Sequence, residues 1–241
     1  MKKLSIFILA FVLLVSLSCS RIKKSDAEFE REEWISGFTD SIEYYQARNS
    51  EVDRRLNEIN SRLSDMLQNF EYIKNPREVS GYYLLNGWKS RLPFTTTAVY
   101  ARINEYEKLE IIATLAGSTF NQIAVGTGHP EYYSEVVPHD QAFNFRHDRF
   151  NSVYFSGGKT DTIAEYISNH FNDKVNLEFL EGKVKKNFAI PADEKEMIHK
   201  TWQLFNTQRE ARALQKELWI CSKKIETFRR ILHENNKEEN N

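Results

Sequence analysis

The stretch of sequence that decides the predicted fold is residues 35–73, which read ISGFTDSIEYYQARNSEVDRRLNEINSRLSDMLQNFEYI. Apolar and aromatic side chains recur along it in alternating steps of three and four residues, which is typical of the seam of a coiled coil. The seam positions are Ile35, Phe38, Ile42, Tyr45, Asn49, Val52, Leu56, Ile59, Leu63, Met66, Phe70 and Ile73. The polar exception, Asn49, is predicted to set the register or the oligomeric state of the coiled coil. The helix is predicted to continue to Lys74, because the residue before Pro76 disfavours helical geometry.

A second long stripe of apolar residues, near the C-terminus, is predicted to be the partner of the first. It runs in the same steps from Met197 to Leu232, with two polar interruptions. Because the two stripes have similar lengths, they favour an antiparallel hairpin in which Asn49 lies near Leu218 and Cys221. The alternative is that one or both helices associate with a second copy of the chain, as a homo-oligomer. The sequence supports either arrangement.

The segment between the two stripes, residues 76–190, has a different periodicity. Alternating apolar and polar residues predict a hairpin from Ala98–Asn104 and Leu109–Leu115, further short strands, and one short helix that starts at Asp161. These amount to six to eight strands. The predicted fold class is therefore α+β, with two long antiparallel coiled-coil helices flanking a small antiparallel β domain.

The N-terminus carries a targeting signal. Lys2 and Lys3 precede the apolar run Leu4–Leu17, which is shorter than the roughly 20 residues that a membrane-spanning helix needs. Residues 16–19 read SLSC, which resembles the lipobox of bacterial lipoproteins. This resemblance implies that residues 1–18 are removed as a signal peptide and that Cys19 becomes the palmitate-bearing N-terminus. The alternative is an ordinary signal peptide followed by an incidental cysteine.

The layout of the whole chain resembles uncharacterised lipoproteins of the Bacteroidota type, a group that implies no established activity. It divides into the signal peptide (1–18), a lipid-anchored helix (19–75), a β-rich domain with one short helix (76–190), and a C-terminal helix with a polar tail (191–241). In lipoproteins of enteric bacteria, Asp after the lipidated cysteine favours the inner membrane; here that residue is Ser20. By the same resemblance, we expect a lipid-anchored protein of the cell envelope, on the periplasmic face of the outer membrane.

Candidate ligand-binding residues lie within residues 126–150, the longest stretch without clear periodicity. They are His129, His139, Arg146, His147 and Arg149, which alternate with several aromatic residues. The three histidines are 10 and 8 residues apart, which matches no metal-binding signature, so neither a metal nor another cofactor is predicted. Arginine among aromatic residues can instead form a stacking platform for a sugar or a base.

Composition and motifs narrow the function. Lys and Arg number 33 against 34 Asp and Glu, so no basic field predicts a nucleic-acid partner. The sequence contains neither a nucleophile motif nor a phosphate-binding loop, and we predict that the protein is not an enzyme. The favoured function is that of a structural or interaction protein, which presents its β domain on a coiled-coil stalk to a protein or a glycan. The alternative is a glycan- or small-ligand-binding protein that uses residues 126–150.

Overall fold

The computed structural model describes residues 26–74, 81–140, 142–147 and 149–238. In these ranges the chain forms three α-helices, which are α1 (Asp26–Leu67), α2 (Gly158–Asn169) and α3 (Ala192–Glu238), and a 3-10 helix at Lys89–Arg91. The ten strands of the same ranges are β1 (Phe70–Ile73), β2 (Tyr82–Leu85), β3 (Ala98–Asn104), β4 (Leu109–Ala116), β5 (Gln122–Gly126), β6 (Tyr132–Tyr133), β7 (Asn144–His147), β8 (Phe150–Ser156), β9 (Asn176–Glu181) and β10 (Val184–Ala189).

The strands form two antiparallel sheets. The larger sheet has six strands in the order β1-β2-β3-β4-β8-β7, and the smaller has four in the order β10-β9-β5-β6. The strand predicted at Ala98–Asn104 and its hairpin partner are confirmed as β3 and β4. The chain is therefore α+β, and most of its sheet is built from strands that are neighbours in sequence.

The hydrophobic core lies where the two sheets, α2 and the first turns of α3 meet. Ile111 and Ala113 of β4 are fully buried there, and Ile112, which points to the opposite face of the strand, is buried as well. Ile163 and Ile167 of α2 belong to the same core, and so does Met197 of α3. The buried residues of the strands, of α2 and of α3 thus form one apolar interior.

The chain divides into two compact units, one of residues 54–215 and one of residues 1–53 and 216–241. The first unit contains all ten described strands together with α2. In the second unit, the structure describes residues 26–53 and 216–238.

The predicted arrangement of two long coiled-coil helices flanking a small β domain is wrong, because the β-rich unit dominates the chain. This unit includes residues 54–67 of α1 and 192–215 of α3 as well as both sheets. Leu63 and Met66, expected in the coiled-coil seam, pack against the core of the sheets instead. The physical reason is that the apolar face of a sheet must be buried against another element, and these helical segments bury it.

The predicted C-terminal end of the first helix is also wrong. Helix α1 ends at Leu67, and Phe70–Ile73 forms strand β1, which pairs antiparallel with β2. Ile73 is buried on that sheet. The backbone of this segment pairs with Tyr82–Leu85 along one edge, so a tertiary contact overrides the helical spacing of its apolar residues.

In the second unit, which is helical where the structure describes it, polar contacts join α1 and α3. The Asn49 side-chain oxygen accepts a hydrogen bond from the Ser222 hydroxyl at 3.2 Å, and Arg48 forms an ion pair with Glu217 at 2.5 Å. Cys221 is a buried free thiol. The register or oligomer role assigned to Asn49 stays a prediction, since these contacts show its position and not its specificity.

The lipidation site predicted from the sequence, Cys19, lies outside the described residues. Among the helices that the structure describes, none combines the length and the apolar character needed to cross a bilayer.

Candidate ligand-binding groove

One face of the six-stranded sheet carries a row of large side chains in cross-strand register. Tyr100 of β3 lies opposite Ile112 of β4, which lies opposite Tyr154 of β8. The next row contains Thr114, Ser152 and Phe145. Because cross-strand neighbours on one face are about 5 Å apart, these rows form a continuous surface.

This surface is the floor of a groove of about 550 Å³. We call it the aromatic groove and define it by Tyr82, Phe94, Tyr100, Ile112, Phe145 and Tyr154. Two hydroxyls, those of Thr114 and Ser152, lie 3.0 Å apart in the same lining. The groove therefore combines aromatic rings with a few fixed polar groups, the composition that is typical of small-molecule sites.

A buried cation holds two of the rings in place. The Arg102 guanidinium lies 4.1 Å from the centroid of the Tyr82 ring and 4.9 Å from that of Tyr154. Its Nε donates a hydrogen bond to the Glu110 carboxylate at 2.6 Å, and the residue is only 6% exposed. The other oxygen of Glu110 accepts a hydrogen bond from Asn104 at 2.8 Å. Such cation–π and charge-assisted contacts fix the ring orientations before any ligand arrives.

The segment between β2 and β3 forms one rim of the groove. The Phe94 ring packs on Tyr100 with centroids 5.4 Å apart and on Trp88 at 6.4 Å. Arg91 lies over the Trp88 ring at 4.4 Å and pairs with Asp193 of α3 at 2.5 Å. This chain of contacts ties the rim to the start of α3, so the rim is anchored at both sheet and helix.

Two lysines and a tyrosine with a raised pKa lie at the ends of the groove. Lys74 and Lys89 are exposed in the lining, which gives the groove a positive rim. The hydroxyl of Tyr72 donates a hydrogen bond to Glu105 at 3.1 Å. Desolvation, together with this bond to a carboxylate, raises the pKa of Tyr72 above its usual value. The phenol therefore stays neutral at physiological pH and remains a hydrogen-bond donor.

The structure does not gather the predicted site residues into one place. His129 follows β5 and lines a smaller hollow on the four-stranded sheet. Arg146 is in β7 and Arg149 lies in the turn to β8, both exposed on the six-stranded sheet. His139 is exposed in the connection between β6 and β7.

His147 is in β7 and pairs with Phe150 across the β7–β8 hairpin, but its side chain is outside the described atoms. Arg146 follows Phe145 in the strand and therefore points to the face opposite the aromatic groove. Of the stretch that the sequence singled out, Phe145 is thus the member that reaches the groove.

Sequence reasoning missed the tyrosines of the groove. A signal was present, because Tyr100 and Arg102 alternate with Val99 and Ala101, which indicates a strand with one aromatic, charged face. What the sequence could not show is that β8 pairs with β4. That long-range pairing brings Tyr154 to Arg102.

Comparisons with known proteins add neither a family nor a function, since no family model, no curated protein and no solved structure matches the chain. Within the described residues, no group of three or more His, Cys, Asp or Glu side chains is arranged to hold a metal ion.

Proposed function

We propose that this chain is a lipid-anchored protein of the cell envelope that binds a glycan in the aromatic groove. The observation that carries the proposal is the row Tyr100–Ile112–Tyr154, bordered by Phe145 and the hydroxyl pair of Thr114 and Ser152. The anchor rests on the resemblance of residues 16–19 to a lipobox.

The chemistry of a sugar matches such a surface. A pyranose has one face of C–H groups, which packs on the face of an aromatic ring, and a rim of hydroxyls that need hydrogen-bond partners. The groove has rings in its floor and walls, and hydroxyl groups between them. Because Arg102 already orders Tyr82 and Tyr154, little conformational entropy would be lost on binding. The positive rim favours glycans that carry carboxylates.

The experiment is a titration of the full chain with soluble oligosaccharides, including neutral and uronic-acid-containing tetrasaccharides, followed by calorimetry. We expect Phe145→Ala to weaken binding at least tenfold, which corresponds to about 1.4 kcal/mol of lost contact. Phe143→Ala is the matched control, since Phe143 is 57% exposed two residues earlier and is not part of the groove. Equal affinity of the two variants, or no binding of any oligosaccharide, would contradict the proposal.

A second candidate function is docking of a protein partner on the helical unit. The observation that favours it is the exposure of large apolar side chains there: Trp219 is 62% exposed, Ile220 40% and Tyr44 64%. Aromatic residues of this kind are enriched at protein interfaces. Crosslinking in intact membranes distinguishes the two functions. A partner captured by the wild-type chain and lost with Trp219→Ser supports docking, whereas capture that persists contradicts it.

A further inference from the structure

The outer face of the four-stranded sheet contains a second hollow, distinct from the aromatic groove. Its volume is about 220 Å³. Glu178 of β9 lies opposite Ala124 of β5 on one side and Asn187 of β10 on the other. Asn176, two residues earlier on the same face, lies opposite Gly126. The small side chains of β5 leave room above the sheet, so the carboxylate of Glu178 belongs to the floor of a hollow.

A tightly held loop forms the wall of this hollow. A methyl group added at Gly126 would lie 1.8 Å from the His129 carbonyl oxygen, so the loop after β5 rests directly on the strand. The loop is tied back at its end, where the Glu131 N–H donates to the Val125 carbonyl at 2.9 Å. The Tyr166 hydroxyl of α2 donates to the Glu131 carboxylate at 2.7 Å. The wall is therefore tied to β5 and to α2 by hydrogen bonds.

The Glu178 carboxylate in this hollow has an ion-pair partner, Lys185, but one of its oxygens lacks a hydrogen bond among the described residues. The residue is 8% exposed, and within the described part of the chain its Oε2 accepts no hydrogen bond. The ammonium of Lys185 lies 3.6 Å from that oxygen, beyond hydrogen-bond distance, on a side chain that is 60% exposed. A buried charged acceptor without a hydrogen bond is unfavourable, and a ligand that supplies a donor relieves that cost.

We propose that this hollow binds a primary ammonium group, with Glu178 as its counter-ion. A single carboxylate among neutral side chains suits a monovalent cation better than a divalent metal, and the Lys185 ammonium already lies near it as such a cation. Asn176 and Asn187, whose side-chain amides can accept hydrogen bonds, line the hollow together with the loop. An ammonium group has three N–H donors to share among such acceptors. The hollow lies on the four-stranded sheet and the aromatic groove on the six-stranded sheet, so this proposal does not rest on glycan binding.

Lys185 competes with an ammonium ligand for the carboxylate of Glu178. Lys185 supplies the chemical group that the ligand would supply, at a distance where it interacts only through its charge. An incoming ammonium that donates directly to Oε2 would displace the Lys185 side chain into solvent at little cost, because that side chain is already mostly exposed. Removal of Lys185 is therefore expected to strengthen binding.

The test is an NMR titration of the full-length, ¹⁵N-labelled protein with n-butylammonium, read at the backbone amides of Gly126, Gly128 and Asn187. We expect Glu178→Gln to weaken binding at least tenfold and Lys185→Gln to tighten it severalfold. Butyltrimethylammonium has the same charge without N–H donors, and we expect it to bind at least tenfold more weakly. Glu165→Gln removes an exposed carboxylate of α2 and is the charge-matched control.

Each outcome decides the proposal. No shift with butylammonium, equal affinity for the trimethylated cation, or unchanged affinity in Glu178→Gln would overturn it. So would shifts of the same amides with calcium chloride at concentrations where the amine gives none. If Glu178→Gln does not fold, the Lys185→Gln variant and the two amines still test the donor requirement and the competition.

Discussion

The carboxylate of Glu194 accepts a hydrogen bond from the backbone N–H of Val99 at 3.0 Å. Strand β2 pairs with β3 only at Ile103 and Asn104, so the N–H of Val99 lies beyond its reach. The N–H of Ala101, two residues further along the same edge, donates to the Met197 sulfur at 3.4 Å. The first turns of α3 thus satisfy a strand that β2 leaves partly unpaired, and they do so with a buried carboxylate.

The buried position of Glu194 predicts a pH dependence of stability. Desolvation raises its pKa to about 7, although the hydrogen bond from Val99 opposes the rise. The folded chain therefore holds this proton more tightly than the unfolded chain. The resulting stabilisation is complete below the unfolded pKa of 4.5 and is lost as the pH rises through 7.

We expect Glu194→Gln to remove about 2–3 kcal/mol of the decline in unfolding free energy between pH 5 and pH 8. Urea denaturation of the wild type and the variant at both pH values measures this change in unfolding free energy. Glu226→Gln is the control, because the hydrogen bond from Lys223 lowers the pKa of Glu226 and its contribution is constant over this range. A wild-type slope retained in Glu194→Gln would show that another group titrates.

The Arg102–Glu110 pair predicts a large loss of stability when one partner is removed. The two side chains are 7% and 15% exposed, so Arg102→Met leaves a carboxylate with little water around it. We expect a loss of about 3–5 kcal/mol in unfolding free energy, measured by urea denaturation.

Two comparisons test this explanation. The double variant Arg102→Met/Glu110→Met should recover most of the loss, because no buried charge remains. Lys200→Met breaks a pair with Glu196 that is 45% and 49% exposed, and its effect should stay within about 0.5 kcal/mol. Similar losses for Arg102→Met and Lys200→Met would refute a special cost of burial.

The close approach at Gly126 predicts a strong effect of a single methyl group. Gly126→Ala would force apart the strand and the His129 carbonyl, which lies 1.8 Å from the added carbon. We expect a loss of about 1–3 kcal/mol in thermal or urea unfolding. Gly128→Ala is the matched control, since nothing lies within 4 Å of its added carbon. If the two variants are equally stable, the loop yields more easily than its contacts indicate.

The lipobox predicts that Cys19 carries fatty acid in a bacterial host. We expect the wild-type chain to incorporate an alkyne-labelled palmitate and to sediment with membranes, and Cys19→Ala to do neither. Cys221→Ala is the control, because this thiol is buried and far along the chain. Labelling that survives in Cys19→Ala and disappears in Cys221→Ala would reverse the assignment.

Local elements were predictable where one residue pattern decides them. The alternation of apolar and polar residues in Ala98–Asn104 predicted β3 with its bounds, because side chains of a strand point to the same face every second residue. The hairpin turn after β9 contains Gly182, whose φ is 58°, and a glycine between two strands is a sequence signal for such a turn. Asp161 lies in the first turn of α2, which begins three residues earlier at Gly158.

The sequence by itself determined the segments with a sustained period, which are the helical parts of α1 and α3 and strands such as β3 and β4. It did not determine the short strands β6 and β7, which lie in the stretch without clear periodicity. Phe70–Ile73 has helical spacing and yet is strand β1, because its four residues pair in register with β2. Only the tertiary structure decided that parts of α1 and α3 cover the sheets. It also decided that Glu178 lies in a hollow. The reason is that burial and pairing depend on residues distant in sequence, whereas periodicity reports only on neighbours along the chain.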